Sequence, residues 1–309
     1  MTRLPTPPRR RVLGASGIEA STIAWGMWRT PDLIDGDIDD GVPGLARLAH
    51  AALDAGIDLF DTADIYGFDG KNGFGDAEVM LGEVFASEPD LRSRIVLATK
   101  GGIMPPLPYD QSRSYMDSAL DASLKRLQVE RVELYQIHRP DILTHPQELA
   151  GFLDAALASG KVGAVGVSNF TVHQIETLSA LLGTPLATTQ PEISPLRIDA
   201  IDNGEMDQAM RLGLTPLAWS PLGGGRLMRP EGDREHSVAR ALADWGDERG
   251  VDRTVAAYSW LMAHPAGIVP IIGSQNAGRI EAAAKVWDLQ WSREEWYAVF
   301  TAARGAPLP

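Results

Sequence analysis

Residues 57–67 read Ile-Asp-Leu-Phe-Asp-Thr-Ala-Asp-Ile-Tyr-Gly, an apolar run that stops at Asp61 and gives way to a polar break ended by Gly67. Beyond it, Ala77 to Ala86 carries apolar residues at three- and four-residue steps. Strand, break and helix therefore follow one another in that order. The same unit recurs along the chain. Strands are expected at Ile95 to Lys100, Val132 to His138, Val162 to Ser168, Ala187 to Gln190, Thr215 to Ser220 and Ile268 to Gly273, and Thr22 to Gly26 supplies an earlier one. Helical spacing marks Leu45 to Ala55, Ser112 to Leu127, Gln147 to Ser159, Val172 to Leu182 and Val255 to Ala263. Eight strands alternating with helices predict an α/β fold, a closed (β/α)8 TIM barrel, because sequential βα units cover both faces of a parallel sheet.

An open doubly wound sheet is the alternative. Against it, no Gly-x-Gly-x-x-Gly follows the first strand, so the dinucleotide fingerprint of that fold is missing. The segment Val12 to Glu19 reads instead as a β-hairpin with glycines at its turn, placed to cap the closed end of a barrel. A length of 309 residues suits one barrel domain spanning residues 1–309, with 1–10 expected to be flexible.

Composition narrows the function. The formal charge is −13, from 28 basic and 41 acidic residues, which argues against a protein built to grip nucleic acid or an anionic membrane. The chain has no cysteine, which excludes disulfides and thiolate chemistry and fits a reducing, cytoplasmic setting. The opening MTRLPTPPRRR lacks an apolar core for a signal peptide, and no later window holds about 18 uninterrupted apolar residues. A small-molecule substrate is the expected partner. The sequence carries no signal for oligomeric state.

In a barrel, chemistry gathers where strands end. Here the strand ends supply Asp61 with Tyr66 five residues on, then Lys100, His138, Ser168-Asn169, Gln190, Trp219-Ser220 and Gly273-Ser274. Singly, each has an ordinary reading: a packing tyrosine, a surface lysine, an Asp61–His138 ion pair, a helix cap at Ser168-Asn169. Jointly they make an acid-and-orienter set. A phenol with a reference pKa of ~10 needs its phenolate supported before it can exchange protons near neutrality. Lys100 beside Tyr66 is expected to bring the phenol down towards the working range, Asp61 to keep Lys100 charged, and His138 to hydrogen-bond a carbonyl oxygen that gains negative charge.

The motifs Asp61-Thr62-Ala63-Asp64-Ile65-Tyr66-Gly67, Thr99-Lys100, Ile137-His138-Arg139-Pro140 and Gly166-Val167-Ser168-Asn169-Phe170 together resemble the aldo-keto reductase superfamily. The segments 138–141, 218–227 and 270–274 are similar to its bacterial YdhF-like branch. That resemblance implies reversible, NAD(P)H-dependent reduction of an aldehyde or ketone, with Tyr66 as general acid and Asp61, Lys100 and His138 as its partners. It further implies that Ser168, Asn169 and Gln190 hold the nicotinamide carboxamide, that Trp219 stacks on the ring, and that Ser220, Pro221, Leu222, Gly223, Gly224 and Gly225 form a loop approaching the pyrophosphate. Gly26 and Met27 would border the cofactor, and Trp28 the substrate. At the adenosine end Gly273 stands where many members carry lysine, followed by Ser274, while Arg279 is retained; this favours NADPH over NADH. Arg139 stands where tryptophan is common and points to a polar or sugar-derived carbonyl if it faces the pocket, or to nothing if it pairs with Asp141.

Two other readings stay open: a Schiff-base aldolase using Lys100, and a non-catalytic, nicotinamide-binding redox-sensing subunit. A metal-dependent hydrolase is disfavoured, because of six histidines only His138 ends an expected strand.

Overall fold

The computed structural model describes residues 2–308. Eight parallel strands close into a barrel: β3 (Ala24–Gly26), β4 (Leu59–Asp61), β5 (Val96–Gly101), β6 (Val132–Ile137), β7 (Val162–Ser168), β8 (Thr188–Gln190), β9 (Thr215–Ala218) and β10 (Val269–Ile272), with β10 pairing back onto β3. Ahead of the barrel, β1 (Arg10–Val12) and β2 (Glu19–Ser21) pair antiparallel as the expected hairpin. Closure rules out the open sheet.

Alternation along the strands sorts the side chains. Ala24, Leu59, Ala98, Leu134, Ala164, Leu217 and Val269 form one buried cluster together with Leu13 from the hairpin turn. The alternate residues Trp25, Phe60, Leu97, Tyr135, Val165 and Val167 join the larger core that includes the helices. Leu13 thus plugs the closed end. Its neighbour Gly14 donates its N–H to Thr215 Oγ1 at 3.0 Å, at the start of β9, and the Arg10–Asp58 ion pair at 2.6 Å ties the hairpin to the segment entering β4. The opposite end, where the strands finish, is left open for chemistry.

Most helices form where periodicity places them, with different limits. The helix expected from Leu45 begins at Ile38, because Asp37 and Asp40 make a capping box that starts a turn before Pro43 and Gly44 are reached. Helices Glu205–Leu212, Asp233–Asp247 and Arg293–Arg304 lie outside the expected set. The second opens on the polar residues Asp233 to Ser237, which read as loop; Asp233 and Glu235 in its first turn favour a helix start through the helix dipole.

The N-terminal segment packs along the barrel. Read as flexible, residues 2–10 are tied to the barrel: Leu4 N–H donates to Trp291 O at 2.8 Å, Arg293 N–H to Thr2 O at 3.0 Å, and Thr22 Oγ1 to Pro8 O at 2.5 Å. Met1 lies outside the described residues. Three prolines between Pro5 and Pro8 and this backbone pairing lower the ordering cost that a freer segment would carry. Among the described residues no helix is long and apolar enough to cross a membrane.

Gly14 shows how tightly the plug is set. Its φ is +54°, and a Cβ there would lie 2.6 Å from Ala187 Cα. Gly14→Ala is expected to destabilise the fold by about 2 to 4 kcal/mol, from left-handed strain plus overpacking. Urea unfolding measures the loss. Ligand affinity at the open end should stay within about two-fold, since the strain sits at the other end of the barrel, and an unchanged midpoint would contradict the plug.

Candidate active site

Barrel register brings residues far apart in sequence to one mouth. Asp61 closes β4 and Lys100 lies near the end of β5, each two positions beyond an inward apolar residue, Leu59 and Ala98. His138 follows β6 in the same alternation as Leu134. Tyr66 sits on the turn after β4, which is pinned by Asp64 N–H donating to Lys100 O at 3.0 Å.

Lys100 is the centre. Its Nζ donates to Asp61 Oδ2 at 2.7 Å, to Thr62 O at 2.8 Å and to the Tyr66 phenol oxygen at 3.0 Å. The lysine is fully buried and Asp61 is 2% exposed. An isolated charge there would be costly, and the paired carboxylate offsets that cost. Burial alone would lower the lysine's pKa, but Asp61 and then Tyr66 outweigh it and hold it above its ordinary value. All three ammonium hydrogens are engaged, so the nitrogen has no lone pair to attack a carbonyl. This arrangement opposes use of Lys100 as the nucleophile of an aldolase.

Tyr66 departs from expectation in sign. Burial pushes the phenol up more than Lys100 pulls it down, and Asp61 adds to the rise, so the net shift is upward. The sequence shows the neighbouring cation but not the depth of burial. The consequence is a phenol that stays protonated at neutral pH. Because its oxygen accepts from Lys100, its own hydrogen is free to point elsewhere.

His138 meets Tyr66 edge to face, with ring centroids 5.9 Å apart and planes at 77°. Burial, then the charges of Lys100 and Arg139, press its pKa well below the usual histidine value, leaving a neutral imidazole. Its Nδ1 is buried without a partner. No Asp61–His138 ion pair forms; Asp61 is turned to Lys100. Trp28 is 63% exposed and stands edge-on to Tyr66 at 5.2 Å, forming a wall of the mouth.

The neighbouring polar set is linked internally. Asn169, in the left-handed region at φ 61°, donates from Nδ2 to His138 O at 3.1 Å and to Ser168 Oγ at 2.9 Å, and accepts from Trp219 Nε1 at 3.0 Å. Such backbone strain is characteristic of sites held for function. Thr171, not Ser168 or Asn169, caps the helix Val172–Leu181. Ser168 Oγ donates to Gln190 O at 2.8 Å, while Gln190 Nε2 donates to Asp61 Oδ1 at 3.0 Å. Ser220 also has positive φ, and Gly223, Gly224 and Gly225 follow it in the same region. The N–H groups of Gly223 and Gly225 bond to Ser220 and Leu222 within that turn, and Arg226 is held on Glu235 at 3.2 Å. Pro221 is buried and Leu222 half-buried beside it.

Gly26 lies at the rim of β3, where a Cβ would meet Ile271 Cγ2 at 2.6 Å. Met27 does not face the mouth as expected: its side chain is fully buried in the core, its N–H donates to Asp61 O, and its carbonyl accepts from Thr30. Gly273 and Arg279 are exposed, with Ser274 between them and its carbonyl accepting from Trp25 Nε1 at 3.1 Å. Arg139 makes no ion pair among the described residues. Asp141, its expected alternative partner, instead accepts from Gln111 N–H, Leu143 N–H and Thr144 Oγ1.

Two buried groups near the site escaped the sequence reading. Gln136, inside the apolar run of β6, donates to Asp61 Oδ1 at 3.3 Å. Behind the sheet, Glu78 accepts from Thr99 Oγ1 at 2.5 Å and pairs with Arg126 at 2.7 Å, and burial followed by Glu78 drives the Asp64 carboxyl well up in pKa. A polar residue interrupting a buried strand is the signal that would have exposed Gln136.

Comparison with known proteins agrees with this geometry. The Aldo/keto reductase family model matches residues 23–303. The chain is 63% identical to a 6-dehydroglucose reductase of Novosphingobium aromaticivorans over 100% of both chains, and 37% identical to a 6-dehydroglucose reductase of Agrobacterium fabrum over 96% of this chain and 98% of that one. The oxidoreductase YdhF of Escherichia coli is 33% identical, covering 97% and 99% respectively. Among solved structures, the thermostable aldo-keto reductase Tm1743 superposes with a TM-score of 0.81 at 22% identity over 95% of this chain and 99% of that chain, a likeness of fold. With the buried Asp61–Lys100–Tyr66 arrangement at the mouth of a closed barrel and a family match running from residue 23 to 303, the chain belongs to the aldo/keto reductase family and is an oxidoreductase acting on carbonyl or CH–OH groups.

Proposed function

We propose that the protein reduces the aldehyde of a sugar-derived substrate, 6-dehydroglucose or a close relative, to the primary alcohol with NADPH. The observation that carries this is the 3.0 Å bond from the Lys100 ammonium to the Tyr66 phenol oxygen, which leaves a protonated phenol at the mouth backed by a fixed positive charge. Full-length identity of 63% to a protein named 6-dehydroglucose reductase supports the substrate class.

The residues fit a nicotinamide cofactor. Ser168, Asn169 and Gln190 present the hydroxyl and amide groups that suit a carboxamide, and Trp219, oriented by Asn169, offers an aromatic face beside them. The glycine turn 223–225 with Arg226 would hold the pyrophosphate, and Arg279, exposed and without an ion-pair partner among the described residues, would favour NADPH through its 2′-phosphate, with NADH the weaker donor. When bound, the reduced nicotinamide supplies hydride to the carbonyl carbon. The chain's own work is on the oxygen. His138 donates its imidazole N–H to the carbonyl oxygen, Tyr66 transfers its phenolic proton to that oxygen as charge develops, and Lys100 stabilises the resulting phenolate until solvent reprotonates it. The reverse reaction uses the same groups with Tyr66 as base.

Substrate preference follows from Arg139 and Trp28. A guanidinium not committed to Asp141 donates to sugar hydroxyls, and an exposed indole gives a flat surface for the C–H face of a pyranose.

Tyr66→Phe is expected to lower carbonyl reduction by about 10²- to 10⁴-fold while intrinsic tryptophan fluorescence titrations still report NADPH binding within about two-fold of wild type and tighter than NADH. Turnover within about ten-fold of wild type would remove Tyr66 from its role. The pH dependence has a definite sign. The active form is the protonated phenol, held above its ordinary value of 10.0, and His138 stays neutral because it is held below 6.5. The kcat/KM for reduction should therefore be flat from about pH 6 to about 9 and fall only at strongly alkaline pH. An inflection near the ordinary histidine value, in a steady-state pH series, would contradict a neutral His138. Arg139→Met is expected to raise KM for a sugar aldehyde about ten-fold while changing that for benzaldehyde by less than about two-fold, as loss of a charge-assisted hydrogen bond requires.

A further inference from the structure

Asp61 has two oxygens, and the Lys100 pair uses one of them. Oδ2 holds the ammonium at 2.7 Å. Oδ1 lies inside the barrel above the apolar layer of Leu59, Ala98 and Leu134, where a carboxylate oxygen without donors would be destabilised. It receives Gln190 Nε2 at 3.0 Å and Gln136 Nε2 at 3.3 Å. Gln190 belongs to the rim and, on the reading above, also meets the cofactor. Gln136 is deeper and fully buried, so it serves Asp61 whatever occupies the mouth.

The orientation of Gln136 is itself determined. Its Oε1 accepts from Thr188 Oγ1 at 3.1 Å, and this turns the amide so that its N–H groups face Asp61. Gln136, Gly166 and Thr188 are register partners across β6, β7 and β8. A Cβ at Gly166 would collide with the Thr188 hydroxyl, so the glycine between them is what lets Thr188 reach Gln136. Five strands are thereby linked in one chain of contacts, from Thr188 across Gly166 to Gln136, then Asp61, Lys100 and Tyr66.

We propose that Gln136, locked by Thr188 over Gly166, is a positioning residue of the reaction: it holds the far oxygen of Asp61 so that the near oxygen keeps Lys100 against the Tyr66 phenol. This rests on the reading of Tyr66 as the proton donor. Without Gln136 the carboxylate turns, Lys100 follows it away from Tyr66, and the phenolate loses its counter-charge.

Gln136→Met keeps the length of the side chain and removes its donor and acceptor. The expected result is a fall in kcat of about ten-fold for reduction. In alcohol oxidation, where Tyr66 acts as base, the alkaline limb of the pH profile should move up by about one pH unit. NADPH affinity by fluorescence should stay within about two-fold, whereas Gln190→Met weakens it. Thr188→Val should move the limb in the same direction by a smaller amount, and Thr188→Ser, which restores the hydroxyl, should move it back; this pair keeps the test open if Gln136→Met fails to fold. A fall in thermal stability with an unmoved pH profile in both Gln136→Met and Thr188→Val would overturn the proposal and leave these residues as packing. Failure of wild type to reduce any carbonyl, or an active Tyr66→Phe, would strike the proposed function instead, so the two are separable.

Discussion

A lysine ammonium with no exposure to water is the constraint around which the rest of this molecule is arranged. Its charge is tolerable only because a carboxylate, a main-chain carbonyl and a phenol oxygen each take one of its hydrogens at 2.7 to 3.0 Å. Supplying these three acceptors requires β4, the turn after it, and β5 to keep their register to within a fraction of an ångström. The hydrophobic layer beneath provides that rigidity, and the hairpin plug under the layer closes it. Stability and the proposed chemistry therefore meet at one point, with the core bearing the cost of the buried charge.

The mouth is polar in layers. Uppermost are Trp28, Tyr66 and His138, with Tyr66 in aromatic contact with each of the other two. Around them Ser168, Asn169, Gln190 and Trp219 hydrogen-bond among themselves and to Asp61 and His138, so that the proposed cofactor region and the proposed carbonyl region share bonds. Beneath lies the row of Gln136, Gly166 and Thr188. Each layer restricts the freedom of the one above it, which is how preorganised sites avoid reorganisation during reaction.

Much of this was legible before any coordinates. The strands show as short β-branched runs broken by glycine, proline or polar residues, and Asp61, Lys100 and His138 stand out because each ends such a run. Tyr66 follows from the motif it closes. Less was legible for the segment 233–247, whose polar first turn resembles a loop, and for residues 2–10, whose docking depends on main-chain partners near residue 291. Met27 looked like a rim residue because it follows a strand; its side chain turns to the core instead. Gln136 shows in the sequence only as a polar residue interrupting a buried strand; that it reaches Asp61 is set by a partner 75 residues away.

The amino-acid sequence by itself determined the barrel, the family and the identities of the four central residues, because strand periodicity and the chemistry of strand ends are local properties. Tertiary structure alone decided the sign of the Tyr66 shift, the commitment of Asp141 away from Arg139, and the link from Thr188 to Asp61. These depend on how deeply a group is buried and on which distant side chain reaches it first. Such quantities arise from closing the barrel, and no stretch of sequence contains them.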